Sequence, residues 1–433
     1  MQNIEMIPVW ILMPFVVQLF VIALAPLFAK YLWESNRNKL IVSLALSVPV
    51  FIFMLSNGII EKLEHQILFD YIPFIILLGT LFVVTGGIHL EGDIRATPAV
   101  NTIFLSVGYV LASLMGTTGA AMLLIRPVLA TNSQRKFKMH TVLFFIATVA
   151  NCGGLLTPVG DPPLFLLYLR GASFTWFLNL FPEWLFVGVI LLSLYFITDM
   201  FFFRKEDPKD ITADEREIIP LRISGSVNFL FLAGVILSVT FVNSGFISSM
   251  SDAHAPVWLK FLREIVLLFM AAASIFFTKK KVRMSNKFTW TPILEVAAVF
   301  LGIFATMTPV LLFLNQNAEN LGLHTPSHFY YATGILSSFL DNAPTAMAFH
   351  SVAQGLQSVP PLVAGISEIV LKSISVSAVF FGALTYIGNG PNFMVKSIAE
   401  ESGVKMPGFF TYMLKFSLIL LLPVYILVQL LFL

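Results

Sequence analysis

The chain is nearly free of cysteine and poor in charge. Cys152 is the only thiol, which excludes an internal disulfide and a cysteine-built metal site. Asp, Glu, Lys and Arg make up 12% of the 433 residues, against 57% apolar residues, and mean hydropathy is +0.86. A soluble globular fold does not carry that balance. No phosphate-cradling G-x-x-x-x-G-K-[ST] loop occurs, so any ATP-driven activity would need another subunit. The net charge of +2 points to no nucleic-acid partner.

What the chain has instead is apolar blocks free of charge, at 8–29, 40–60, 71–88 and 225–249. Roughly 20 such residues, rising 1.5 Å each, span about 30 Å of hydrocarbon. The first block lacks a basic flank and a small-residue cleavage site, so it is expected to be a span and not a removed signal. The expected class is an all-α polytopic protein of the inner membrane, in contact with lipid, without enzymatic activity or cofactor.

Lys and Arg cluster at 30–39, 135–138, 204–222 and 279–287. The positive-inside rule puts these loops in the cytoplasm. With 71–88 running inward, the segment 98–130 starts and ends on one side, and reads as a re-entrant hairpin with Gly116-Thr117-Thr118-Gly119 at its tip. A helix over 140–170 follows, interrupted at Asn151-Cys152-Gly153-Gly154 and at Gly160-Asp161-Pro162-Pro163. The second half repeats the order from the other side: a hairpin over 326–353 tipped by Leu340-Asp341-Asn342-Ala343-Pro344, then a helix over 365–400 broken at Gly388-Asn389-Gly390-Pro391-Asn392. The expected organisation is a first inverted repeat at 1–203, a cytoplasmic linker at 204–224 and a second repeat at 225–433, each with five crossings and one hairpin. Tip and break lie 44 residues apart in one half (Gly116 to Gly160) and 47 in the other (Asp341 to Gly388).

Backbone that leaves the helix at membrane depth survives only when buried in protein or lining a wet cavity. Four breaks therefore imply one shared cavity, the usual place of a transporter's midplane site. Its candidate side chains are Thr117, Thr118, Asn151, Thr157, Asp161, Asp341, Asn342, Thr345, Asn389 and Asn392, with Gly116, Gly119, Gly153, Gly154, Gly160, Gly388 and Gly390 shaping the backbone. Oxygen-rich groups with two carboxylates suit a hard cation, and Asp161, Asp341, Asn151 and Asn389 are the Na⁺ candidates. Competing readings stand beside these: Asp161 and Asp341 also sit where N-caps sit, Arg126 and Lys396 are placed to snorkel, His350 reads as a packing histidine, Cys152 as a small packing residue, and Glu295 as interfacial.

The run Asn151-Cys152-Gly153-Gly154-Leu155-Leu156-Thr157-Pro158-Val159-Gly160-Asp161-Pro162-Pro163, with Ser337-Ser338-Phe339-Leu340-Asp341-Asn342-Ala343-Pro344-Thr345 and Tyr386-Ile387-Gly388-Asn389-Gly390-Pro391-Asn392, resembles the ion transporter superfamily. The resemblance is nearest to its NhaD-type sodium/proton antiporters and citrate-transporter-like branch, with arsenite permeases further off. It implies a homodimer with a scaffold part and a transport part that moves in an elevator-like way. The dicarboxylate branch has Ser-Asn-Thr at both tips; this sequence departs from it at both. Sodium/proton exchange is therefore the expected function, with Asp341 the leading titrating group because its carboxylate has no counterpart in the first half, and Asp161 the second. The alternative is Na⁺- or H⁺-coupled transport of citrate-like carboxylates or of oxyanions such as arsenite. An intramembrane aspartyl protease would need Tyr-Asp and Gly-x-Gly-Asp motifs that are missing.

Overall fold

A computed structural model describes residues 6–33, 35–209, 214, 219–252 and 254–433. Among them seven helices are long and apolar enough to cross a membrane: Asn36–Ser56, Ile60–Thr85, Pro98–Met115, Met139–Leu156, Phe174–Phe203, Thr291–Gln316 and Phe409–Phe432. The protein is an all-α multi-pass membrane protein. Among the described residues the strands form two short antiparallel pairs, His89–Asp93 with Ile219–Ser224 and Leu362–Val363 with Ile366–Ser367.

Six helices form one group. Met13–Phe28 and Asn36–Ser56 pack on Thr291–Gln316, while Val227–Phe241 and Leu262–Phe277 pack on Ile60–Thr85. Each half thus lends its third helix to the first two of the other. The third helix begins at Ile60, well before the expected 71, because Glu61, Lys62, Glu64 and His65 continue it through a π-helical stretch, Gln66–Tyr71. Charges that read as a loop in sequence are helical here.

The second group holds the hairpins and broken helices. The first hairpin pairs Pro98–Met115 with Thr117–Thr131, and the second pairs Pro326–Phe339 with Asn342–Gly355. Both start with a Thr-Pro step: Thr97 Oγ1 accepts from Val100 N at 3.3 Å and Thr325 Oγ1 from His328 N at 3.2 Å, with proline pre-set for the first turn. They turn by different means. Gly116 takes φ +79, which side-chain-bearing residues rarely adopt, whereas the second hairpin turns through extended Leu340 and Asp341, whose carboxylate accepts from Ala343 N at 3.0 Å.

The broken helices match closely. Met139–Thr148 passes into the short turn Cys152–Leu156 and resumes as Pro162–Leu169; Glu368–Phe381 passes into Gly382–Leu384 and resumes as Gly390–Glu401. Asp161 (φ −147, ψ 143) and Asn389 (φ −147, ψ 140) stand in the same extended conformation at the restart. Thr157 donates to the Ser113 carbonyl and Thr385 to that of Ser338, each tying a break to its own hairpin.

The described parts of all four basic clusters gather at one end. There Lys136 N and Phe137 N donate to Glu206, Ala96 N to Asp214, His89 pairs with Asn286, and Asn36 donates to Thr291 O. Lys39 meets Glu295 at 2.7 Å. The first hairpin's base lies at this end, where Asn101 and Asn132 exchange amide bonds and Asp199 takes Asn101, Arg135 and His140. The second hairpin's base lies at the other end, beside the last turns of Thr291–Gln316, where Ser351 Oγ donates to Leu311 O and Asn315 Nδ2 to Ser351 O. The hairpins enter from opposite ends, so their tips meet in the interior.

Candidate functional site

Asp161 is the meeting point. It is 1% exposed. Thr117 Oγ1, from the first hairpin's tip, donates to its Oδ1 at 3.0 Å; Asn389 Nδ2, from the second break, donates to the same oxygen at 3.2 Å; and Asn342 Nδ2, from the second hairpin's tip, donates to Oδ2 at 2.5 Å. All four elements converge on one carboxylate. Among the described residues no Lys, Arg or His bonds it, and its three hydrogen-bond donors are all neutral.

Each donor's placement follows from its local fold. Thr117 opens a helix just after Gly116, and its backbone N–H donates to Gly160 O at 2.9 Å, which docks the tip on the break. Asn342 opens the second arm and is fully buried, with its Oδ1 left without a hydrogen-bond partner. A buried, unsatisfied amide oxygen costs about 1–3 kcal/mol unless something occupies it. Four helices start at this point, Thr117–Thr131, Pro162–Leu169, Asn342–Gly355 and Gly390–Glu401. Their N-termini add positive potential around Asp161.

The remaining expected residues sort into three kinds. Asn151 and Asn392 join the two breaks: Asn151 Nδ2 donates to Asn392 Oδ1 at 2.7 Å and to Ile146 O, Asn389 donates to Asn151 Oδ1, and Asn392 Nδ2 donates to Gly382 O and Thr385 O. Their amides are fully engaged by protein. Thr157 is spent on the Ser113 carbonyl and Thr345 on that of Asp341. Thr118 is exposed, and Asp341 is half-buried with its carboxylate capping Ala343, so neither touches Asp161.

The glycines earn their places unequally. A Cβ on Gly160 would stand 2.0 Å from Gly154 O, one on Gly154 2.8 Å from Thr117 Cγ2, one on Gly153 2.5 Å from Tyr109 O, one on Gly388 2.7 Å from Gly382 O, and one on Gly119 2.9 Å from Thr85; at Gly390 nothing lies within 4 Å. Lys396 pairs with Glu400 at 2.6 Å, and Arg126 makes no hydrogen bond or ion pair among the described residues. His350 donates through Nε2 to Ala364 O at 3.0 Å, and Cys152 lies buried against the Tyr425 hydroxyl.

Sequence reasoning passed over Ser113, Ser338 and Thr385, although Thr385-Tyr386-Ile387-Gly388 aligns with Thr157-Pro158-Val159-Gly160 and the pairing of the threonines was visible there. It also passed over Asp199 and Glu183, each fully buried, with Arg135 and His140 on the first and Lys372 on the second. Carboxylates inside apolar spans are the signal for such sites.

Comparison with known proteins agrees with this architecture. No curated protein matches the chain. A family model described as "Putative citrate transport" matches residues 4–433. The chain belongs to that citrate-transporter-like family of the ion transporter superfamily.

Proposed function

We propose that this protein is a cation-coupled secondary transporter of the inner membrane, with sodium/proton exchange as its leading activity and Asp161 as the exchanging group. The observation that carries the reading is the buried Asp161 carboxylate, held by three neutral donors, beside the unpartnered Oδ1 of Asn342. An anionic, oxygen-lined point without a cationic partner suits a hard cation or a proton, and the two compete for it. Asp341 stands at the neighbouring tip as a second carboxylate. The reciprocal helix pairing and the matched breaks support two inverted repeats at 1–203 and 225–433, with the basic end in the cytoplasm. The six-helix group then serves as the scaffold against which the hairpins and broken helices move, in a homodimer.

A second reading is favoured by the four converging helix N-termini and by the family's description: Na⁺- or H⁺-coupled movement of a citrate-like carboxylate. Here the backbone N–H groups receive the carboxylate, and Asp161 carries the coupling cation. Proteoliposomes with an internal pH dye separate the two. Na⁺ or Li⁺ added alone, without K⁺ having the same effect, moves protons in the first reading; in the second, flux needs citrate as well. No flux under either condition, in protein that is folded and monodisperse, would overturn both.

A further inference from the structure

The two broken helices match in sequence and backbone but not in cover. Phe393, in the second, is 57% exposed, while Phe165, at the same position after the first break, is 1% exposed. Ile387 is 37% exposed and its counterpart Val159 is 3%. The difference lies in what the six-helix group does at each end. At the end away from the basic loops it closes on the first broken helix. Arg170, just past Pro162–Leu169, donates through Nη2 to Asp70 Oδ2 at 2.7 Å and to Gln66 Oε1 at 3.0 Å. Tyr168 OH donates to Val239 O at 2.8 Å, and the Arg263 guanidinium lies 5.6 Å from the Phe165 ring centroid and 5.3 Å from that of Tyr168. Both Asp70 and Gln66 belong to the π-helical stretch Gln66–Tyr71, a local winding often found at functional positions, and both are buried.

We infer that Arg170 with Asp70 and Gln66 forms the outer gate of the transporter: a state-specific clasp that seals the site from the side opposite the basic loops while the second break stays open toward them. This rests on the alternating-access reading above. A half-buried ion pair joining a moving part to a fixed one cannot persist through sliding of one past the other. It holds one of the two states, and its loss shifts the population to the other.

The test uses protein with Cys152 replaced by serine and single reporter cysteines at Phe165 or Phe393, labelled from either side of the membrane. Asp70→Asn and Arg170→Gln should each raise labelling at 165 from the outer side several-fold and lower it at 393, and the charge-exchanged pair Asp70→Arg/Arg170→Asp should return both toward the parent. Unchanged labelling in both single variants overturns the gate. As a second measurement, Asp70→Cys/Arg170→Cys bridged by a short bifunctional thiol reagent should stop flux until the bridge is cleaved; full flux in the bridged protein also overturns it. Labelling needs no substrate, so a parent protein that moves no ion or carboxylate strikes the transport reading and leaves the gate to be judged by its reporters.

Discussion

A single methyl group placed at Gly160 should stop transport without preventing insertion. The alanine Cβ would stand 2.0 Å from the Gly154 carbonyl oxygen and 2.8 Å from its carbon, inside the 3.0 Å that Cβ atoms essentially never cross. Both obstacles are backbone, so no rotamer relieves them and the break must open by about 1 Å or more, at about 1–3 kcal/mol of overpacking strain. That movement separates Gly160 O from Thr117 N, now 2.9 Å apart, and carries the adjacent Asp161 out of reach of Thr117 and Asn342. A misplacement of about 1 Å at a working group costs on the order of 100-fold in rate. Gly388→Ala, with 2.7 Å contacts to Gly382 O and Ser337 O, should be impaired less, and Gly390→Ala, with nothing within 4 Å, should be silent. Initial rates of ion flux in proteoliposomes, normalised to monodisperse protein, give the order. Near-parental flux in Gly160→Ala, or equal loss in Gly390→Ala, refutes the argument that the close fit of the break sets the site.

Asp161→Asn should abolish coupled flux, since its amide cannot carry a proton and one of its three donors would face an N–H₂ group, losing about 1.5–3 kcal/mol; Asp341→Asn keeps the cap on Ala343 at about 1 kcal/mol or less and should retain part of the flux across pH 6 to 9, about the range probed by a pH dye. The reverse ranking would place the proton at the hairpin tip. Asn151→Ala and Asn392→Ala should be non-additive in thermal unfolding, with a coupling of about 1 kcal/mol across their 2.7 Å bond, and simple additivity would dissolve that link. In protein carrying Cys152→Ser, a cysteine at Ser133 should label from the cytoplasm and one at Gln316 from outside; labelling of both from one side contradicts opposite entry of the hairpins.

The breaks and hairpins were legible because glycine, proline and asparagine punctuate otherwise apolar helices, and that punctuation acts locally. Gly160-Asp161-Pro162 against Gly388-Asn389-Gly390 already aligns two positions whose backbone angles turn out nearly equal. Which acid sits at the centre was not local. Symmetry singled out Asp341 for lacking a counterpart, yet the tip directs Asn342, one residue on, at Asp161, because Asp341 turns back to cap its own helix. The clasp of Arg170 on Asp70 joins residues 100 apart, and that of Arg135 on Asp199 residues 64 apart. Neither spacing leaves a pattern in the chain.

The reciprocal pairing within the six-helix group bears on how the protein is made. Ile60–Thr85 leaves the ribosome long before Leu262–Phe277, on which it packs, and Asn36–Ser56 waits still longer for Thr291–Gln316. During synthesis the first half therefore sits in the bilayer with its partner faces against lipid, its later neighbours not yet inserted. Glu206 on Lys136 and Phe137, Asp214 on Ala96, and then the strand Ile219–Ser224 paired with His89–Asp93 tether the linker at the end where the second half begins. Neither half completes the six-helix group alone, so that group closes only once Leu262–Phe277 and Thr291–Gln316 have joined the earlier helices in the membrane.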